Sequence, residues 1–159
     1  MRNINKIIAL GFLATFFLSS CGGEGGNKTT SEEVKVAETK EIDPMQDKGI
    51  GPITSVDISG AIDDALASEG AIFFETNCTA CHKLDKRFIG PAITGITKRR
   101  TPEWIMNMIL NPELMVKEND AAKQLLMEYI SPMANQSLTE SEARAILEYF
   151  RQNDNNGRK

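Results

Sequence analysis

The sequence predicts an all-α domain of about four to five short helices over residues 61–155. Three observations predict it. Helix-starting residues recur at Thr101-Pro102-Glu103, Asn111-Pro112-Glu113 and Thr139-Glu140-Ser141-Glu142. Apolar residues between these signals return at helical spacing. No stretch of the region alternates apolar with polar residues as a half-buried strand does.

The chain opens with Arg2 and Lys6, then an apolar run from Ile7 to Leu18 of twelve residues. That is too short to cross a bilayer as a helix and fits the apolar part of an export signal. Leu18-Ser19-Ser20-Cys21 resembles the lipobox, where small residues precede a cysteine that is lipidated and becomes the mature N-terminus. Residues 1–20 are therefore expected to be a lipoprotein signal peptide and Cys21 its lipidation site. The alternative is an ordinary secretory signal with an incidental cysteine. Residues 21–60 read as a flexible tether. Gly22-Gly23-Glu24-Gly25-Gly26 is followed by a Glu- and Lys-rich stretch, and Asp43-Pro44, Gly51-Pro52 and Ser59-Gly60 interrupt any regular pattern. Little apolar surface offsets ordering there, although Ile53, Val56, Ile58 and Ile62 are candidates to pack on the domain edge.

The first helix should run from about Ile62 to Asn77, with Ile62, Leu66, Ile72, Phe73 and Phe74 as its apolar residues. Gly70 inside it costs about 1 kcal/mol against Ala, which a close helix crossing would explain. Thr101 caps the next helix with Pro102 at its first position and Glu103 near the positive dipole end. Trp104, Ile105, Met108 and Ile109 form its stripe. Asn111-Pro112-Glu113 starts a short helix through Met115. Asn119 or Asp120 caps another reaching Tyr129, with Ala121, Leu125, Leu126 and Tyr129 inward. Thr139 and Glu142 make a capping box for a last helix carrying Ala143, Ile146, Leu147 and Phe150. Asn153 to Lys159 is polar and is read as frayed, with 156–159 left outside the domain.

Cys78-Thr79-Ala80-Cys81-His82 is the chemical centre of the chain. Cys-x-x-Cys-His is the attachment pattern of a c-type haem. Two thiols on one helical turn can each form a thioether to a haem vinyl group, and the adjacent imidazole can serve as proximal axial ligand. A thioredoxin-like redox pair does not require the His and would sit in a strand–helix context. A zinc site needs a second pair of ligands, yet Cys21 is the only other Cys and His82 the only His. One covalently attached haem c is therefore expected, with Cys78 and Cys81 as thioether residues and His82 on the iron. About 95 residues make a small core. A buried apolar cofactor would enlarge it, so stability should depend on the haem.

Residues 65–152 resemble a class I monohaem cytochrome c domain. A helix with Gly70 and Phe74 precedes the haem motif, Gly90-Pro91 follows it, and a loop, Pro132-Met133-Ala134-Asn135-Gln136-Ser137-Leu138, leads into a last helix ending Ile146-Leu147-Glu148-Tyr149-Phe150. The resemblance implies that the first and last helices cross near Gly70, Phe74 and an aromatic of the Tyr149 or Phe150 kind. It also implies export, since c-type haem is attached outside the cytoplasm in bacteria.

The sixth iron ligand has to be chosen from seven Met. Met1 leaves with the signal and Met45 lies in the tether. Met106, Met108 and Met127 sit on helices, where Met more often packs a core. Met133 lies where the family places its axial Met, in a loop after a proline and six residues before the Thr139 cap. Met115, at the end of a short helix, is its rival. His/Met ligation raises the reduction potential and fills the iron's coordination sphere, which points to a carrier of single electrons and not an enzyme. The resemblance also implies that the Pro91 carbonyl accepts the other ring N–H of His82, as metal-bound imidazoles usually require. Arg100 and Trp104, with Lys98 and Arg99, are candidates to meet the haem propionates; ordinary solvated charge and a core Trp are the alternative. Asn135 either donates to the Met133 sulfur or caps a turn, and the turn is the simpler reading.

The formal net charge of −4 becomes −6 once Arg2 and Lys6 leave, which gives no support for nucleic-acid binding. Yet Lys83, Lys86, Arg87, Lys98, Arg99 and Arg100 face a single acid, Asp85, between positions 83 and 100. This patch is a candidate docking surface for acidic redox proteins; propionate compensation is the alternative. The expectation is a lipid-anchored, periplasm-facing cytochrome, in the inner or outer membrane. It would pass electrons from a quinol-oxidising complex to a terminal oxidase or a periplasmic reductase. Gly90 to Tyr149 is also similar to small cytochrome c lipoproteins associated with nitrous oxide respiration. A gas sensor or a peroxidase-type enzyme would instead need an open sixth position, and the latter a distal acid–base group.

Overall fold

A computed structural model describes residues 42–157. The export signal, Cys21 and the first part of the tether lie outside the described residues. Within them are five α-helices, a 3₁₀ turn at Ile96–Lys98 and no strand. The helices are α1 Asp64–Asn77, α2 Pro102–Leu110, α3 Pro112–Glu118, α4 Asp120–Tyr129 and α5 Glu140–Asn156. None is long and apolar enough to cross a membrane.

Local chemistry sets the helix starts. The Asp63 carboxylate accepts from the amides of Ala65 and Leu66. Thr101, Asn111 and Asn119 cap α2, α3 and α4 through their side-chain oxygens, relieving amides that have no partner within the helix. Thr139 and Glu142 close a reciprocal capping box at α5.

The α1–α5 crossing organises the packing. A Cβ on Gly70 would lie 1.9 Å from the Ala145 carbonyl oxygen, so the two backbones approach as closely as glycine allows. Phe74 meets Phe150 edge-on at 5.6 Å and Tyr149 at 5.7 Å, which extends the contact through aromatic packing. Ala143, Ile146, Leu147 and Phe150 are all buried on α5. Ile72 is exposed, contrary to the stripe read for α1. It lies two residues from Gly70, about 200° round the helix, away from the crossing. Met127 is exposed as well, because the inner face of α4 is carried by Ala122, Leu125, Leu126 and Tyr129.

Two ends of the domain differ from the sequence reading. The tether expected through Gly60 gives way to packed chain from Asp47 onward, here termed the strap. Its backbone is satisfied by polar side chains far along the sequence. Asn107 accepts from the Ile53 amide at 2.9 Å and donates to the carbonyls of Lys48 and Ile53. Glu103 accepts from the Val56 amide, and Arg151 donates to the carbonyls of Ile58 and Gly60. Ile53 is buried in the core. At the other end, α5 continues through Asn156 instead of fraying at Asn153. Asp154 is buried and its carboxylate accepts from the amides of Gly95 and Thr97 and from the Thr97 hydroxyl.

Candidate haem site

α1 delivers the motif. Cys78 is its C-cap, donating to the Phe74 carbonyl, and the amides of Cys81 and His82 both donate to the Cys78 carbonyl. Both thiols and the imidazole thus come from one tight turn. Cys78 is buried and Cys81 exposed, and neither is in a disulfide. Burial, with a smaller effect from the Cys81 thiol, pushes the Cys78 thiol up to about 11, so it is protonated at neutral pH.

The chain after the motif folds back on itself. The Gly90 amide donates to the Cys81 carbonyl, and Ile93 and Thr94 donate to the carbonyls of Lys83 and Leu84. This return brings the Pro91 carbonyl 3.0 Å from Nδ1 of His82. Gly90 lies against the ring: a Cβ there would be 2.5 Å from Cε1 and 3.0 Å from Nε2. The imidazole is therefore held by a carbonyl on one nitrogen and by a bare glycine beside the ring.

Cys78, Cys81, His82 and Met133 all line one cavity of about 590 Å³. Phe74, Ile105, Ile109, Leu125, Tyr129, Ile146 and Phe150 contribute to its mostly apolar walls. Met115 does not reach it. That residue is 0% exposed and its sulfur accepts the Ile50 amide at 3.1 Å. Met106 is core, but Met108 lies on the cavity wall, a position that helix context alone did not reveal. Asn135 accepts from the Ser137 amide and so caps a turn.

Arg99 and Arg100 are the only charged side chains described on the wall, and no carboxylate joins them. Arg99 is partly committed, donating to the carbonyls of Thr94 and Ala92. The Arg100 guanidinium lies 4.8 Å from the Trp104 ring centroid, and no hydrogen-bond acceptor for it is seen among the described residues. Burial lowers its pKa, an effect that the charge of Asp47 opposes. Trp104 donates its indole N–H to Asn119 at 3.2 Å, so the indole offers the cavity its ring and not a donor. This alters the pairing expected of Trp104 with the propionates. An apolar slot with two thiols, an oriented imidazole, a thioether and a cationic end without carboxylates fits a haem and its anionic propionates.

The basic segment is less uniform than its sequence suggests. Arg87 pairs with Glu128 at 2.9 Å and stacks 4.0 Å from the Tyr129 centroid. Lys83 donates to the Thr79 carbonyl and lies over the Phe88 ring. Lys86, Lys98 and Arg99 are exposed.

The cytochrome c family model matches residues 67–154. The chain belongs to the cytochrome c family. Among solved structures, a cytochrome c from Rhodothermus marinus is 51% identical, covering 67% of this chain and 91% of that one with a TM-score of 0.65. An engineered cytochrome c from the same organism is 50% identical over 66% of this chain and 91% of that one, with a TM-score of 0.64. A further engineered form, bound to a carbene intermediate, is 50% identical over the same shares with a TM-score of 0.62. No curated protein matches the chain significantly. Haem c is thus the cofactor of this cytochrome c, with Cys78 and Cys81 positioned for its covalent attachment. The chain is an electron-transfer haem protein.

Proposed function

We propose that this cytochrome c domain is a membrane-tethered carrier passing single electrons between respiratory proteins outside the cytoplasm. The observation that carries the proposal is the convergence of Cys78, Cys81, His82 and Met133 on one mostly apolar cavity. Bound haem supplies a one-electron iron couple. His82 would hold the haem iron: with Nδ1–H donating to Pro91, the lone pair of Nε2 would be left for the metal. Met133 would supply the iron with a second protein ligand, a soft neutral donor that would raise the potential. Apolar walls exclude water, and Arg99 and Arg100 balance propionate charge.

Cys21 is the lipid anchor, so a membrane fraction that keeps the Cys21→Ser protein would contradict the tether. The donor is a quinol-oxidising complex and the acceptor a terminal oxidase or periplasmic reductase, nitrous oxide reductase among them. The exposed members of the basic segment steer an acidic partner to the cavity mouth. Reversing Lys86 and Lys98 should slow reduction by the donor complex about tenfold at low salt. An unchanged rate would rule steering out.

A second reading has its own support. The engineered relative bound to a carbene intermediate favours an iron that accepts an outside ligand, as in a gas sensor or a peroxidase-type enzyme. The Met133 loop suits that reading too: Ile130 and Ser137 bracket it with φ of 52° and 55°, costly values for non-glycine residues. The response of the haem spectrum to carbon monoxide separates the two readings.

A further inference from the structure

A polar chain links the strap to the wall of the haem cavity. Asp47 lies outside the residues matched by the family model. Its two carboxylate oxygens accept the Asn119 amide at 3.0 and 2.8 Å. The Asn119 oxygen accepts the Trp104 indole N–H at 3.2 Å and the Ala122 amide at 3.0 Å. Asn119 and Trp104 are 7% and 3% exposed. The Arg100 guanidinium lies over the Trp104 ring.

Every link has one orientation. Asn119 faces a carboxylate on one side and two N–H donors on the other, so its amide cannot turn without setting donors against donors. Asp47 is held in turn. The Thr101 hydroxyl donates to its carbonyl at 2.6 Å, and the Gly49 amide donates to its carboxylate at 2.8 Å. Gly49 has a φ of +71°, and a Cβ there would meet the Met115 sulfur at 2.9 Å, so the strap is keyed closely onto α2 and α3.

We propose that Asp47 is a positioning residue for the haem cavity: through Asn119 it fixes the Trp104 indole, and through the indole it fixes the Arg100 cation on the wall. The proposal rests on the haem-site reading above. Its physical consequence concerns the reduction potential. A cation held at the cavity favours the reduced form, which carries one less positive charge. In Asp47→Asn the new amide sets a donor against the Asn119 donors. Asn119 then shifts away from position 47, the indole N–H loses its aligned acceptor, and Arg100 loses its fixed support.

The test uses full-length haem-loaded protein with two readouts: the reduction potential and the NMR signal of the indole N–H, which is unique because the chain has one Trp. Asp47→Asn should lower the ferrous-to-ferric ratio at fixed potential about threefold, or about 30 mV for one electron. The indole N–H should move and exchange faster with solvent. Asp57→Asn removes the same charge from an exposed strap residue bonded only to Ser59 and should change neither readout. In a Trp104→Phe background, which keeps a ring but lacks the N–H, Asp47→Asn should shift the potential less than half as much. A rise in potential for Asp47→Asn would mean that its charge acts directly through space and would overturn the relay. So would an unmoved indole signal, an equal response to Asp57→Asn, or a full shift in the Trp104→Phe background. The indole readout does not depend on which redox proteins the chain serves, so a wrong partner assignment leaves this test intact.

Discussion

His82 divides its two ring nitrogens between separate tasks. The Pro91 carbonyl lies 3.0 Å from Nδ1, which fixes the tautomer and would leave Nε2 for the iron of the proposed site. Gly90 makes that placement possible, because any Cβ there would overlap the ring, at 2.5, 2.9 and 3.0 Å from three of its atoms. Gly90→Ala should therefore push the imidazole off its carbonyl and destabilise the haem-loaded protein by about 1–3 kcal/mol. Urea unfolding followed at the haem band measures this, and a wild-type midpoint would contradict it. At this scale the sequence was legible where chemistry is contiguous. Cys78, Cys81 and His82 form one motif, and Met133 stands out by its place after a proline and before a cap. Asn119 was legible only as a cap. Its second task depends on Asp47, 72 residues away, and no local pattern encodes that distance.

At the scale of elements, α5 holds the domain together from one buried carboxylate. Glu148 is 1% exposed and accepts from Arg144, from Arg151 at 2.7 Å and from the Asp63 amide at 3.0 Å. It thereby joins α5 to the start of α1, while Arg151 reaches on to the strap. Burial alone would raise its pKa, but the hydrogen bonds from Arg144, Arg151 and the Asp63 amide outweigh burial and hold it below the ordinary 4.5. A carboxylate depressed by folding stabilises the native state above its unfolded pKa, and that gain is lost as pH falls through the folded value. Glu148→Gln should cost about 2 kcal/mol at pH 7, and the gap to wild type should narrow as pH falls below 4.5. Urea unfolding at pH 7 and pH 3.5 checks this; a constant gap would contradict it. The helix starts were legible because Thr101-Pro102, Asn111-Pro112 and the Thr139 box are short-range chemistry. The inner faces were less so. Ile72 and Met127 point outward because only a narrow line of α1 meets α5 and only one side of α4 meets the cavity. Apolarity alone does not mark that line.

At the scale of the molecule, the strap and the cavity belong to one construction. The strap looked like tether because it has no periodicity and many turn residues. Its order comes from Asn107, Glu103, Asn119 and Arg151, each supplying hydrogen bonds from elsewhere in the chain. The cavity, whose Trp104 wall the strap supports through Asn119, brings both thiols, the imidazole and the Met133 thioether together, while Met115 is occupied by the strap. With His82 and Met133 both holding the iron, no position would be left for an outside ligand and the chain would act as a carrier. The most direct measurement is the visible spectrum of the haem-loaded protein, oxidised and reduced, with and without carbon monoxide, for wild type and Met133→Ala. The wild-type spectrum should be low-spin with the thioether-to-ferric charge-transfer band. Carbon monoxide should leave the wild type unchanged, and Met133→Ala should lose the band and bind the gas. A high-spin wild type, or one that takes up carbon monoxide readily, would rule out ligation by Met133 and point to an iron kept open for a ligand.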